Sequence, residues 1–135
     1  MKEVFTEKFV ARMAARVIGD PMDPDTHIGP MARVDLRTEL HDQVSRSIDA
    51  GAELLLGGSL PDGRGYFYPA TVLDQVQSGT PAAEEELFGP VAAIMTVADS
   101  DEAVRMANKS RVGLGSAVFT QDLSQGEAVA RQIQA

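Results

Sequence analysis

The sequence predicts an α/β fold: a mostly parallel sheet with flanking helices covering it on both sides. Three observations carry that expectation. Apolar residues recur at every fourth position in two separate stretches, short aliphatic runs bounded by turn residues follow them, and helix and strand signals alternate along the 135 residues.

The first helix is read from Phe5, Phe9, Met13 and Val17, with Glu3, Glu7, Lys8, Arg12 and Arg16 between them. Gly19 and Pro21 should end it, since proline lacks the donor a further turn needs. From Asp20 to Pro30 the chain reads DPMDPDTHIGP, too rich in proline for regular structure and expected as a stiff surface loop. Leu36, Leu40, Val44 and Ile48 mark a second helix, and Gly51 sits where a left-handed terminating residue is wanted. Glu53–Leu56 then reads as a strand stopped by Gly57-Gly58, the segment SLPDGRGY as an exposed excursion, and Pro69–Val76 as another strand.

Thr80–Glu85 has room for one helical turn, with Pro81 early in it, where a missing N–H does no harm. Val91–Val97 is nearly unbroken apolar sequence, the pattern of a central parallel strand buried on both faces. Asp99 or Ser100 should cap the next helix, with Asp101 and Glu102 near its positive end. Ser116–Thr120 reads as a further strand. Ser124-Gln125-Gly126-Glu127 has capping-box spacing and opens a helix carrying Val129 and Ile133, which reaches Ala135 without a terminating signal.

Composition narrows the function. Apolar types make up 44% and charged types 24%, an ordinary globular balance sufficient for a core. The formal net charge of -8 and the lack of any basic cluster argue against nucleic acid and anionic lipid as partners. The N-terminal stretch carries scattered charges rather than the apolar core of a secretory signal, and no apolar run is long enough to span a bilayer, so the protein reads as cytoplasmic. There is no cysteine, which removes disulfides, thiolate metal sites and any thiol nucleophile from these residues.

Motif by motif, no complete catalytic set emerges. Gly113-Leu114-Gly115-Ser116-Ala117-Val118 begins like a dinucleotide fingerprint, but Val118 holds the third glycine position and the segment leads toward a strand. Asp20, Asp23, Asp25 and His27 do not form a calcium loop, because Ile28 stands where the glycine belongs and Val34 where the bidentate glutamate belongs. No metal site is expected, and His27 and His41 read as solvated histidines. No serine lies in a nucleophile elbow.

The segment Glu84-Glu85-Glu86-Leu87-Phe88-Gly89-Pro90-Val91 admits two readings. In one it is a solvated acidic turn before a buried strand, bent at Gly89 and fixed by Pro90. In the other a carboxylate accepts the two vicinal hydroxyls of a ribose while the adjacent aromatic lies against a flat heterocycle. Glu86-Leu87-Phe88-Gly89-Pro90-Val91 closely resembles the E-x-F-G-P-V motif of the NAD(P)-dependent aldehyde dehydrogenase superfamily. Asn108-Lys109-Ser110 followed by Gly113-Leu114 and Val118-Phe119-Thr120-Gln121-Asp122 resembles that family's downstream stretch. GDPMDPDTHIGPMAR (Gly19 to Arg33), the helix ending at Gly51, Gly57-Gly58 and GYFYPATVL (Gly65 to Leu73) occur in the family's order, so the resemblance covers the whole chain. The first of these blocks is most similar to members acting on succinate semialdehyde and related small aldehydes.

The resemblance implies that residues 1–135 are an internal part of the family's catalytic domain, with NAD or NADP as the family's cofactor and an aldehyde oxidised to the acid. It assigns Glu86 to the nicotinamide ribose hydroxyls and Phe88 to the nicotinamide ring, and leaves Glu84 and Glu85 as a solvated face. The family's nucleophilic cysteine, its glutamate, its oxyanion asparagine and its dinucleotide-binding domain correspond to positions before Met1, and its later pocket loop and oligomerisation strand to positions after Ala135. Arg111-Val112 departs from the family where an aromatic commonly precedes Gly-Leu. The chain alone is therefore expected to be inactive and to bind no cofactor tightly, with a homo-oligomer formed through exposed apolar faces. A weak nucleotide-binding module and a purely structural or interaction module are the alternatives.

Overall fold

The computed structural model describes residues 2–135 and divides into two compact units, the first running to Thr96 and the second from Val97 to Ala135. In the first unit, helices α1 (Lys2–Ala14), α2 (Val34–Asp49) and the short α3 (Pro81–Glu84) flank a three-stranded sheet of β1 (Glu53–Leu56), β2 (Thr71–Asp74) and β3 (Val91–Ala93). The second holds α4 (Ser100–Ala107) and α5 (Leu123–Ala130). Among the described residues no helix is long and apolar enough to cross a membrane.

The α/β class and the flanking helices are as expected, and the sheet is small and mixed. β2 lies in the middle, antiparallel to β1 and parallel to β3, with Thr71 opposite Val91 and Leu73 opposite Ala93. All four residues of β2 are buried. The strand expected to be central, Val91–Val97, pairs on one side only: β3 is three residues long and half-buried, with Ala93 exposed. Central burial belongs to TVLD instead, because a strand is enclosed by the neighbours on both of its edges and not by its own composition.

α2 forms as its four-residue stripe dictates. Leu40 and Val44 are fully buried, Ile48 packs against the core, and Gly51 ends the helix at φ 103, a conformation that costs glycine nothing. Leu40 and Val44 join Tyr68, Leu73 and Val76 in one cluster, with Leu87 and Val91 against it. Two polar residues share the buried face. Ser47 Oγ donates to the Gln43 carbonyl at 2.7 Å and accepts the Ala82 N–H of α3 at 2.9 Å, which joins the two helices.

α1 stops at Ala14, earlier than Gly19, and Val17 is exposed. The chain leaves the helix because Val17 is captured elsewhere: its N–H donates to His27 Nδ1 at 3.1 Å and its carbonyl accepts from His27 and Ile28. His27 is thus a loop pin and not merely a solvated side chain. In the same loop Asp20 and Asp23 each accept a backbone N–H two residues ahead, the local turn bond that short acidic side chains favour. Phe5 and Phe9 stack at 5.5 Å, yet α1 buries no residue, and Lys2 Nζ reaches the nearly buried Asp74 carboxylate at 3.1 Å.

In the second unit Asp99 caps α4, accepting the Glu102 N–H at 2.8 Å, while the Glu102 carboxylate accepts the Ala98 N–H. α5 is capped by Asp122 and not by Ser124: Asp122 Oδ1 accepts the Gln125 N–H at 3.0 Å, and the Ser124 hydroxyl donates to the same oxygen. With Asp122 as the cap the helix starts at Leu123, and the Ser124 hydroxyl serves that carboxylate as a donor instead of capping in its own right. α5 ends at Ala130, so the chain does not finish in helix. Asn108 ties the two helices, donating to the Gln132 carbonyl and accepting the Gln134 N–H. Ser116–Thr120 forms no strand and has no ladder partner among the described residues, and Leu114 and Phe119 stand almost wholly exposed.

Removing Leu40 tests this core. Leu40→Ala should destabilise the first unit by about 3 kcal/mol, from lost burial plus the cavity left behind. Urea unfolding followed by tyrosine fluorescence, from Tyr66 and Tyr68, would measure it, and a change below about 1 kcal/mol would mean the cluster is not centred on this helix.

Candidate functional site

The chain's densest negative charge, Glu84-Glu85-Glu86, stands where α3 gives way to the turn before β3. Each of the three carboxylates has a different fate. Glu84 Oε1 accepts the Gly79 N–H at 2.8 Å and closes the turn leading into α3. Glu85 is gripped from α2: Arg46 donates to both of its oxygens at 3.2 Å, and Gln43 Nε2 donates to Oε2 at 3.0 Å. Arg46 is itself steadied by Asp42 one turn earlier, Nε to Oδ2 at 2.7 Å. The side chain of Glu86 has no hydrogen-bond partner among the described residues and is exposed. Its backbone carbonyl is held, accepting from Gln43 Nε2 at 3.3 Å.

Glu84 and Glu85, expected as a solvated face, are exposed but occupied. The Arg46 hydrogen bonds, then the Gln43 one, hold the Glu85 carboxyl below the usual glutamate value. A lowered folded-state value means the latch stabilises above the ordinary glutamate range and is lost as pH falls through the lowered value.

Beyond Glu86 the turn is shaped by close packing. A Cβ on Gly89 would overlap Leu40 Cδ2 of α2, so only glycine lets the segment sit this near the helix. The Pro90 carbonyl accepts the Thr71 N–H at 2.9 Å, which enters the β2–β3 ladder. Phe88, between these anchors, is 60% exposed, an uncommon position for a phenylalanine unless something covers it. Glu86 and Phe88 line one cleft of about 350 Å³ with Leu36, Glu39, Leu40, Gln43 and Glu85. A second cavity of about 310 Å³, under the excursion at Pro61–Gly65 and beside Ile18, has Asp62 and Arg64 as its charged residues.

The structure thus sets both residues singled out from the sequence on one cleft and adds two α2 side chains, Gln43 on the Glu86 carbonyl and Arg46 on the Glu85 carboxylate. Gln43 and Arg46 went unread. The available signal was positional: Gln43 and Ser47 lie three and seven residues after Leu40, polar residues on the helix's buried face, and buried amides and hydroxyls require partners. His41, expected in solvent, is half-buried with Nδ1 3.2 Å from the Tyr68 hydroxyl, and burial pushes that phenol up to about 12.

The cleft thus offers an unpartnered carboxylate and an exposed aromatic side chain. Two acceptor oxygens match vicinal hydroxyls, and the phenyl ring offers an apolar surface. Among the described residues no group of three or more His, Asp or Glu side chains converges as a metal-binding set.

Comparison with known proteins finds similarity over the whole chain. The family described as Aldehyde dehydrogenase family matches residues 1–135. Succinate semialdehyde dehydrogenase (NAD(P)+) Sad of Escherichia coli is 48% identical over 130 residues, covering 96% of this chain and 28% of the relative. Succinate-semialdehyde dehydrogenase (NADP(+)) 1 of Mycobacterium bovis is 47% identical over 118 residues, covering 87% of this chain and 26% of the relative. The crystal structure of succinic semialdehyde dehydrogenase from Streptococcus pyogenes in complex with NADP+ superposes with a TM-score of 0.91 at 33% identity, over 98% of this chain and 29% of that one. The chain therefore spans just over a quarter of the length of the curated relatives it matches.

The Glu85 latch gives a pH signature. The stability difference between the native chain and Glu85→Gln, taken from urea midpoints, should be full near neutral pH and shrink below about pH 5 as the native carboxylate protonates. A difference that stays constant into acid would show that the Arg46 contact contributes nothing to folding.

Proposed function

The chain belongs to the aldehyde dehydrogenase family, and from that premise we propose that residues 1–135 are part of its catalytic domain and contribute the nicotinamide-ribose grip. The whole protein's reaction is then the oxidation of an aldehyde, succinate semialdehyde being favoured by the names of the relatives, with NAD or NADP as the hydride acceptor when bound. The observation that carries this reading is the division of labour among the three glutamates. Two are committed to the fold, and of the three only Glu86, which lines the cleft together with Glu85 and Glu39, keeps its carboxylate free of hydrogen-bond partners among the described residues.

In this role Glu86 accepts both ribose hydroxyls and fixes the sugar, and Phe88 lies against the ring and limits its tilt. Gly89 and Pro90 keep the two side chains on one side of the turn. The residues that would do covalent chemistry are not among these: the chain has no cysteine, so attack on an aldehyde carbon by a thiolate cannot come from it. A single ribose contact without pyrophosphate and adenosine contacts supports only a dissociation constant of about 1 mM, or roughly -4 kcal/mol.

Purified chain mixed with succinate semialdehyde and NAD+ or NADP+ should form no NAD(P)H above a buffer control, while calorimetry detects weak dinucleotide binding that Glu86→Ala abolishes. Turnover by the chain alone, or binding indifferent to Glu86→Ala, would contradict the reading.

A second reading, association between copies, is favoured by the apolar side chains of the second unit. Leu114, Phe119 and Leu123 are each more than four-fifths exposed, a concentration that promotes self-association. Sedimentation velocity over a concentration series should show dimers or larger species that Phe119→Ser dissolves; a monomer throughout would refute it.

A further inference from the structure

We propose that Gln43 is a positioning residue for Glu86, holding the backbone from which the ribose-gripping carboxylate projects. The proposal rests on the reading of Glu86 given above. Gln43 is 4% exposed on the buried face of α2, and its side-chain amide meets two acceptors, Glu85 Oε2 at 3.0 Å and the Glu86 carbonyl at 3.3 Å. Two acceptors on the same side leave no choice of orientation: the NH2 group must face them, since the amide oxygen would be repelled by both. The NH2 group thereby serves acceptors on consecutive residues of the acidic segment.

The geometry separates Gln43 from Arg46. Arg46 grips the Glu85 side chain at a half-exposed position, where water competes. Gln43 reaches the main chain of residue 86, and among the described residues it makes the hydrogen bond that ties Glu86 to α2. Downstream, Gly89 is wedged against Leu40 of the same helix. Residues 86–88 are thus strung between two points on one rigid element, and releasing the first frees the Glu86 Cα to drift. The carboxylate would then sample positions off the ribose, and binding would carry the entropic cost of re-ordering the segment.

The experiment uses the full 135-residue chain and nicotinamide mononucleotide as the probe, titrated by NMR on the 86–88 amide resonances. Backbone order parameters are measured on the same samples. Gln43→Met keeps length and burial but has no donor, and Gln43→Asn keeps the amide one methylene too short. Each should weaken nucleotide binding about fivefold and lower the order of residues 86–88 while that of β2 stays unchanged. Wild-type affinity in both variants overturns the positioning role. So does an affinity loss accompanied by equal loss of order in β2, which would mark general destabilisation. A native chain giving no shifts, or a Glu86→Ala chain that binds as the native one does, would instead overturn the ribose reading itself.

Discussion

The structure of the first unit hangs on one buried helical face. α2 presents Leu40 and Val44 to the sheet, Ser47 to α3, and Gln43 to the turn before β3, so a single rigid element orients everything around the candidate site. The apolar residues supply the driving force, since each fully buried aliphatic side chain is worth about 1.5–3 kcal/mol. The polar ones supply direction. A hydrogen bond in a dry contact contributes little net energy, but leaving its donor unpaired is expensive, and that asymmetry forces the turn into one register against the helix.

This arrangement accounts for three adjacent carboxylates at the threshold of an apolar strand. Like charges on neighbouring residues repel, and the chain disperses them by giving the first a backbone N–H, the second a guanidinium and a buried amide, and leaving the third to the cleft. Among these, the Arg46 bond to Glu85 is the main reason that the middle carboxyl lies below the usual glutamate range. The contact between Gly89 and Leu40 then limits how far the turn can open, so charge placement and close packing act on the same short segment.

Much of the molecule was legible where local chemistry decides the outcome. The stripe of α2, its end at Gly51, the strand Glu53–Leu56 and the Asp99 cap follow from periodicity, backbone freedom and short-range hydrogen bonding. Glu86 and Phe88 were found through a resemblance whose motif survives intact in this chain, and the structure sets both on one cleft. What composition misjudged was decided by neighbours. Val91–Val97 and Ser116–Thr120 have strand-like composition, but one pairs on a single side for three residues and the other finds no ladder. The α5 start was misplaced by two residues because Asp122 and Ser124 both fit a cap, and the structure uses Asp122 on the Gln125 N–H while the Ser124 hydroxyl donates to that same carboxylate. Gln43 was overlooked because a polar residue on an apolar face looks like a defect until its acceptors, more than forty positions away, are in view.

The central claim is that α2 clamps the acidic segment, and a double-mutant cycle between Gln43 and Glu85 tests it most directly. Unfolding free energies of the native chain, Gln43→Met, Glu85→Ala and the double variant would give the coupling. A favourable coupling of about 1 kcal/mol is the expected result for a hydrogen bond between a buried amide and a carboxylate. Additive effects, with a coupling indistinguishable from zero, would mean that helix and turn fold independently and that the clamp does not exist.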